Sequence, residues 1–257
     1  MAERKFMYTY RLTISYDGTR YQGWQRQMNT DNTIQRIIEW TLGKILGYSV
    51  HISGAGRTDS GVHAFAQEAS VVLKEAIDIP FVWPALNNQL PEDIRIIGLV
   101  QMKGYFHARK SAVAKCYEYY IDTREKPDVF TRKYCFHFPK KLNIDLMQEA
   151  AGLLIGTHNF QSFTDLKGNM DTIRTIYDIQ IVKEASKIKL SFTGEGFLYH
   201  MVRILTGTLL EMGTGEKYPS QIPVIIAAGD RAWAGFPAPA RGLFLKQVYY
   251  EKMEEQI

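Results

Sequence analysis

Tyr8, Tyr10, Leu12, Ile14 and Tyr16 alternate with Thr, Arg and Ser, a period of two that predicts a half-buried strand closed by the turn Asp17-Gly18. The polar and aromatic stretch YQGWQRQMNTDN then reads as a loop. Beyond it Ile34, Ile37, Ile38, Leu42, Ile45 and Leu46 form one stripe at helical spacing. Asn32 is the expected cap, Gln35 completes a capping box, and Gly47 ends the helix. Short strands are expected near 50–53 and 67–73, flanking the segment GAGRTDSGVHAFA at 54–66. A short helix over 80–90 and a strand over 93–102 complete this part of the chain.

The pattern continues with a strand over 116–122, a short one at Phe136, and a helix over 144–155. That helix turns Leu146, Met147, Ala150, Leu153 and Leu154 inward, and Gly156 follows it. Strands are expected over 173–182 and 188–192, a helix over 199–212, and a last strand over 243–250. A Pro- and Gly-rich loop separates the last two. The order strand, helix, strand, strand, helix, strand is thus echoed in outline, with no residue-level repeat. The fold class expected is α+β. Two ferredoxin-like halves, 1–104 and 105–257, would share a continuous antiparallel sheet with helices on one side and a central active-site cleft.

Composition narrows the function classes. The 257 residues are ordinary globular protein, and no apolar run approaches the length of a membrane span. The opening MAERKFMYTYRL lacks the apolar region of a secretory leader, so none is expected. Two cysteines, Cys116 and Cys135, make neither a disulfide framework nor a zinc site, and a cytoplasmic location is expected. The net charge of +4 is uneven: residues 103–141 hold ten Lys/Arg against four Asp/Glu, and the tail after Tyr250 is acidic. A basic middle suits a polyanionic partner, although a solvated surface produces the same run.

The segment 54–66 is the candidate for chemistry. It is not a dinucleotide fingerprint, because its third Gly is misplaced. Nor is it a P-loop, since no Gly-Lys-Ser/Thr follows. No G-x-S-x-G surrounds Ser60, and His51 and His63 lack metal-ligand spacing. What remains is a glycine-rich turn that brings Arg57 and Asp59 out at a strand-to-strand crossing. Spacing alone does not separate a site from a surface Arg–Asp pair.

Six stretches together carry a resemblance: SYDGTRYQGWQRQ, TIQ, GAGRTDSGVHAFAQ, FHARKSAVAKCYEYY, GEGFLYHMVR and ARGLFLKQVYY. In this order, and spanning nearly the whole chain, they resemble the tRNA pseudouridine synthase TruA family. The resemblance implies isomerisation of uridine to pseudouridine at nucleotides 38 to 40 of the tRNA anticodon stem-loop, by a homodimer, with neither cofactor nor metal. It implies that Asp59 is the nucleophile, that Arg57 contacts RNA and holds the target base out of the helix, and that Tyr117 meets that base. Arg203 would pair with the catalytic carboxylate. Phe106, His107, Ala108, Arg109 and Lys110 would touch tRNA, and the loop 163–170 is a further candidate for such contact. Three positions depart from the family pattern: Lys110 replaces an aromatic, Ile204 a polar Asn, and Ser60 the commoner Ala.

Two other classes compete. A catalytically silent tRNA-binding protein on the same fold would be free to lose Asp59, Arg57, Tyr117 or Arg203, yet all four are present. A glycoside hydrolase wants two carboxylates flanking the bond, and no second carboxylate stands in the loop. A paralogue with shifted uridine preference stays open within the leading class.

Overall fold

The computed structural model describes residues 7–168 and 170–251. The opening six residues, Asn169 of the 163–170 loop and all of the acidic tail beyond Glu251 lie outside the described residues. The chain divides into two compact units, Met1–Val113 with Leu245–Ile257, and Ala114–Phe244.

In the first unit, β1 (Tyr8–Tyr16) buries Tyr10, Leu12, Ile14 and Tyr16 on one face, as its alternation predicts. It pairs antiparallel with β3 (His63–Leu73) and β4 (Ile94–Gln101); Leu12 stands opposite Ala69 on one side and Leu99 on the other. The sheet order is β4-β1-β3-β10, where β10 is Leu243–Tyr249, and β2 (Ile52–Gly54) pairs with β3. Helix α1 (Ile34–Leu46) buries Ile34, Ile38 and Leu42, each worth about 1.5–3 kcal/mol relative to exposure. Its buried face differs from the expected stripe. Gln35, Glu39 and Thr41 are inside, whereas Ile37, Ile45 and Leu46 are half-buried. The cap is Thr33, whose side chain accepts from the Arg36 N–H, and not Asn32. Asn32 instead donates to the Arg20 carbonyl. Gln35 makes no capping box; its amide is spent in the interior, as described below. Helix α2 (Ile79–Gln89) is tied to β4 by Asn87, which accepts from the Ile96 N–H and donates to the Ile96 carbonyl.

The second unit has the order β5-β9-β8-β7, from β5 (Ala114–Asp122), β7 (Gly156–Asn159), β8 (Ile173–Glu184) and β9 (Lys187–Gly194). A two-residue β6 (Phe136–His137) pairs parallel with β5. Strand β5 is buried on both faces, with Tyr117, Glu118 and Tyr119 all inside. Helix α3 (Ile144–Leu154) is capped by Asn143 and buries Met147, Ala150, Ala151 and Leu154, while Leu153 is exposed. Strand β7 falls where no element is expected, and helix α5 (Ile222–Ala228) lies in the Pro- and Gly-rich stretch that reads as loop. Pro223 falls in the first turn of α5, where a missing N–H costs nothing, and Gly229 ends the helix with a positive φ. Helix α4 (Met201–Thr214) is buried almost all round. Segment 235–238 crosses it at backbone contact distance: a Cβ on Gly207 would stand 1.8 Å from the Phe236 carbonyl oxygen.

In the 163–170 loop, Asp165 accepts from His200 Nδ1 at 2.6 Å and from Arg231 Nε at 2.8 Å. Burial would push the Asp165 carboxyl up, but the His200 and Arg231 bonds outweigh it and hold it below the ordinary carboxylate value.

Two stability predictions follow from this unit. Gly207→Ala should cost about 2–3 kcal/mol, because an overpacked backbone crossing has no side chain to move aside. The readout is the urea midpoint at unchanged slope; a loss below about 0.5 kcal/mol would show that segment 235–238 can lift off α4. A group whose carboxyl is depressed on folding stabilises the fold above its unfolded value, and that contribution disappears as pH falls through the folded value. Asp165→Asn should therefore lower stability at about pH 7 by about 1 kcal/mol or less, given the carboxylate's 34% exposure, and converge on the wild type in acid. An equal difference at both pH values would remove the charge from the account.

Candidate active site

The loop 55–62 joins β2 to β3, and its backbone is held from two directions. From β3, the Glu68 carbonyl accepts the Ala55 N–H at 2.7 Å and Gln67 Nε2 donates to the Gly56 carbonyl at 2.8 Å. From the 17–33 segment, the Trp24 N–H donates to the Thr58 carbonyl at 3.0 Å, and Ser60 Oγ donates to the Tyr21 carbonyl. Below it, the Tyr16 phenol and Thr58 Oγ1 share a 2.7 Å bond inside the protein. Burial pushes the Tyr16 phenol well above its ordinary value, against the Thr58 and Gln67 bonds, so it stays neutral.

Close approach explains the glycine that precedes Trp24. Gly23 has φ +85°, and a Cβ there would meet the Thr58 carbonyl oxygen at 2.7 Å. Trp24 itself is fully buried, and its indole lies where a Cβ on Gly54 would be.

The result is a loop whose backbone is fixed while it carries polar side chains outward. Asp59 is half-buried, and its carbonyl accepts the Val62 N–H at 3.1 Å. Arg57 is exposed, and its Nε donates to Gln25 Oε1 at 3.2 Å.

The residues 106–110 form a turn in the same unit. Phe106 is buried against the Tyr250 ring at 5.0 Å, and Ala108 is wholly inside. The Ala108 N–H donates to Ser70 Oγ, and its carbonyl accepts from the Tyr250 hydroxyl. His107 Nδ1 accepts the Arg109 and Lys110 N–H groups at 3.2 and 3.4 Å. Three members of this set therefore shape the turn, and the two cations, Arg109 and Lys110, are the ones exposed.

Tyr117 and Arg203 lie in the second unit. Tyr117 sits on β5 opposite Phe192 and meets Phe197 edge-on, with ring centroids 5.3 Å apart. Arg203 stands on the stripe of α4 that also carries Thr206 and Gly207. Its Nε donates to the Ala238 carbonyl at 2.7 Å, while its own carbonyl accepts the Ala238 N–H at 2.9 Å. This double tether to segment 235–238 orients the side chain, which is not that of a solvated surface arginine. Burial pushes the neighbouring Tyr119 phenol up, and the positive charge of Arg203 offsets part of that rise.

Sequence reading did not connect Gln25, Gln35 or Gly23 with this loop. All three fall in the quoted stretches GWQRQ and TIQ, whose polar side chains flank a fully buried tryptophan. Among the described residues, no group of three or more His, Cys, Asp or Glu is arranged to hold a metal ion, and no helix is long and apolar enough to cross a membrane.

Comparison with known proteins agrees with these motifs. A family model described as tRNA pseudouridine synthase matches residues 12–108 and 150–251. The chain is 43% identical over 245 residues to tRNA pseudouridine synthase A of Bacillus sp. (strain KSM-64), covering 95% of this chain and 100% of that protein. It is 44% identical to the protein of the same name from Ruminiclostridium cellulolyticum, covering 93% and 98%. The corresponding Bacillus pumilus protein is 43% identical, covering 94% and 98%. A family match on both sides of the 109–149 gap, and relatives aligned over nearly their full length, establish that this chain belongs to the tRNA pseudouridine synthase family.

Proposed function

We propose that the protein isomerises uridine to pseudouridine at positions 38–40 of the tRNA anticodon stem-loop, with Asp59 as the nucleophile. The observation that carries this reading is the clamped loop: the backbone around Thr58 is bonded from β3 and from the 17–33 segment, so Asp59 stands at a fixed point in the GRTDSG motif. A carboxylate is charged at neutral pH and suits attack on, or stabilisation of, an electron-poor carbon. In the reaction the N1–C1′ bond breaks, a C5–C1′ bond forms, the C5 proton leaves and N1 gains one. Atoms and electrons balance without a co-reactant.

The other residues take the roles that membership of the family suggests for them. Arg57, exposed on the loop, fills the gap left by the flipped uridine, which offsets part of an unstacking cost of roughly a few kcal/mol. Arg109 and Lys110 contact phosphate, on a turn shaped by Phe106, His107 and Ala108. Arg203 holds the carboxylate through its planar fork, and Tyr117 meets the target base. The half 1–104 carries the Asp59 loop and 105–257 completes the site. Family membership supports a homodimer as the working unit, and the cysteine thiols Cys116 and Cys135 suit a reducing cytoplasm.

Asp59→Asn keeps size and hydrogen bonding but removes the charge. Tritium release from tRNA labelled at uracil C5 should fall at least about a thousandfold, with tRNA affinity held within a few-fold. Substantial release by this variant would remove Asp59 from the chemistry, whereas lost affinity would point to a folding defect.

Tyr117 is tested by a pair. Tyr117→Phe keeps the aromatic face and deletes the hydroxyl; Tyr117→Leu deletes both. With the hydroxyl serving departure of the C5 proton, the Phe variant should fail nearly as badly as the Leu variant. An active Phe variant beside a crippled Leu variant would assign the ring to stacking on the base.

A further inference from the structure

The exposed Arg57 guanidinium is met by a chain of side chains that reaches into the interior of the first unit. Gln35 is its centre. This residue is 2% exposed, and its amide has all four hydrogen-bonding positions filled. Nε2 donates to the Ile52 carbonyl and to Glu39 Oε1, both at 2.9 Å. Oε1 accepts the Arg26 N–H at 2.8 Å and Gln25 Nε2 at 2.7 Å.

Two of those partners are backbone groups whose roles cannot reverse. The Ile52 carbonyl can only accept and the Arg26 N–H can only donate, so the Gln35 amide has one orientation. Glu39, itself 4% exposed, accepts the Ile52 N–H at 3.0 Å and reinforces that choice. With Gln35 fixed, Gln25 must present its NH₂ inward, because Gln35 Oε1 offers no proton. Gln25 Oε1 is then left facing outward, and there it accepts from Arg57 Nε. Polarity set by the backbone at 26 and 52 is passed through two amides to the guanidinium.

We infer that Gln25 and Gln35 are positioning residues that aim the Arg57 side chain, so that it enters the RNA stack already oriented. This rests on the reading that Arg57 steadies the flipped uridine. An arginine has several rotatable bonds, and holding it beforehand removes an ordering cost from the step in which the base leaves the helix. Gln25 is half-buried and tolerates change better than Gln35, so it carries the test.

The experiment measures single-turnover rate, tRNA affinity and thermal midpoint for Gln25→Met, Arg57→Met and the double variant. Methionine keeps the length of glutamine and deletes both of its polar atoms. Each single variant should slow turnover by about tenfold or more with affinity changed less than the rate. The double variant should be no slower than Arg57→Met alone, since Gln25 has nothing left to aim. A general structural role for Gln25 would instead lower the thermal midpoint and slow both backgrounds equally. Losses that multiply in the double variant, or wild-type turnover in Gln25→Met, would overturn the relay while leaving the role of Arg57 standing. Wild-type turnover in Arg57→Met would overturn that role, and the relay with it.

Discussion

The hydrogen bond from the Trp24 N–H to the Thr58 carbonyl is the constraint on which the rest hangs. It joins two loops that have no regular secondary structure at the point of contact. One would expect both to move. They do not part because the contact is made backbone to backbone at Gly23, with no Cβ to hold them apart, and over a tryptophan with no exposed surface. The Tyr16 phenol closes the underside from a core strand. A polar loop is thereby tied to the sheet it leaves, and a side chain it carries has a fixed starting point; for the proposed role of Asp59 that matters, since misplacement by about 1 Å can cost orders of magnitude in rate. The same clamp sets Gln25 beside the loop, because it is the residue after Trp24.

Alternation made β1 legible residue by residue, since a strand with one buried face writes its burial into a period of two. Strand β5 was legible as a strand but not in its faces: it is covered on both sides, so its periodicity carries no burial signal. Helix α1 was found from Ile34, Ile38 and Leu42, yet its cap was misread. Asn32 and Thr33 are both good caps in sequence, and only the three-dimensional course of the chain gives the helix to Thr33 and leaves Asn32 to Arg20. Gln35 was misread for a deeper reason. A glutamine near a helix start suits a capping box, and nothing local reveals that residues 25 and 52 supply better partners. Helix α5 was hidden by Pro219 and Pro223, which mark a helix start as readily as a loop. For Asp59 and Arg57, spacing left a site and a surface pair equally open, because a short polar loop has no periodicity that separates the two.

The strand order of the first unit has a consequence in time. Strand β10, the last of the described strands to be made, lies beside β3, and Tyr250 anchors the turn at Ala108. Roughly 175 residues separate the end of β3 from the end of β10, which at ribosomal speeds is a delay of about 10–35 s. Throughout that interval the edge of β3 that faces away from β1 has only the three-residue β2 beside it, paired with Ala69–Val71. The unit encoded second has all of its own strands before the unit encoded first is finished. A nascent chain therefore carries a largely unpaired sheet edge from the completion of β3 until β10 is translated, and the apolar residues beside it must be shielded or kept solvated over that interval.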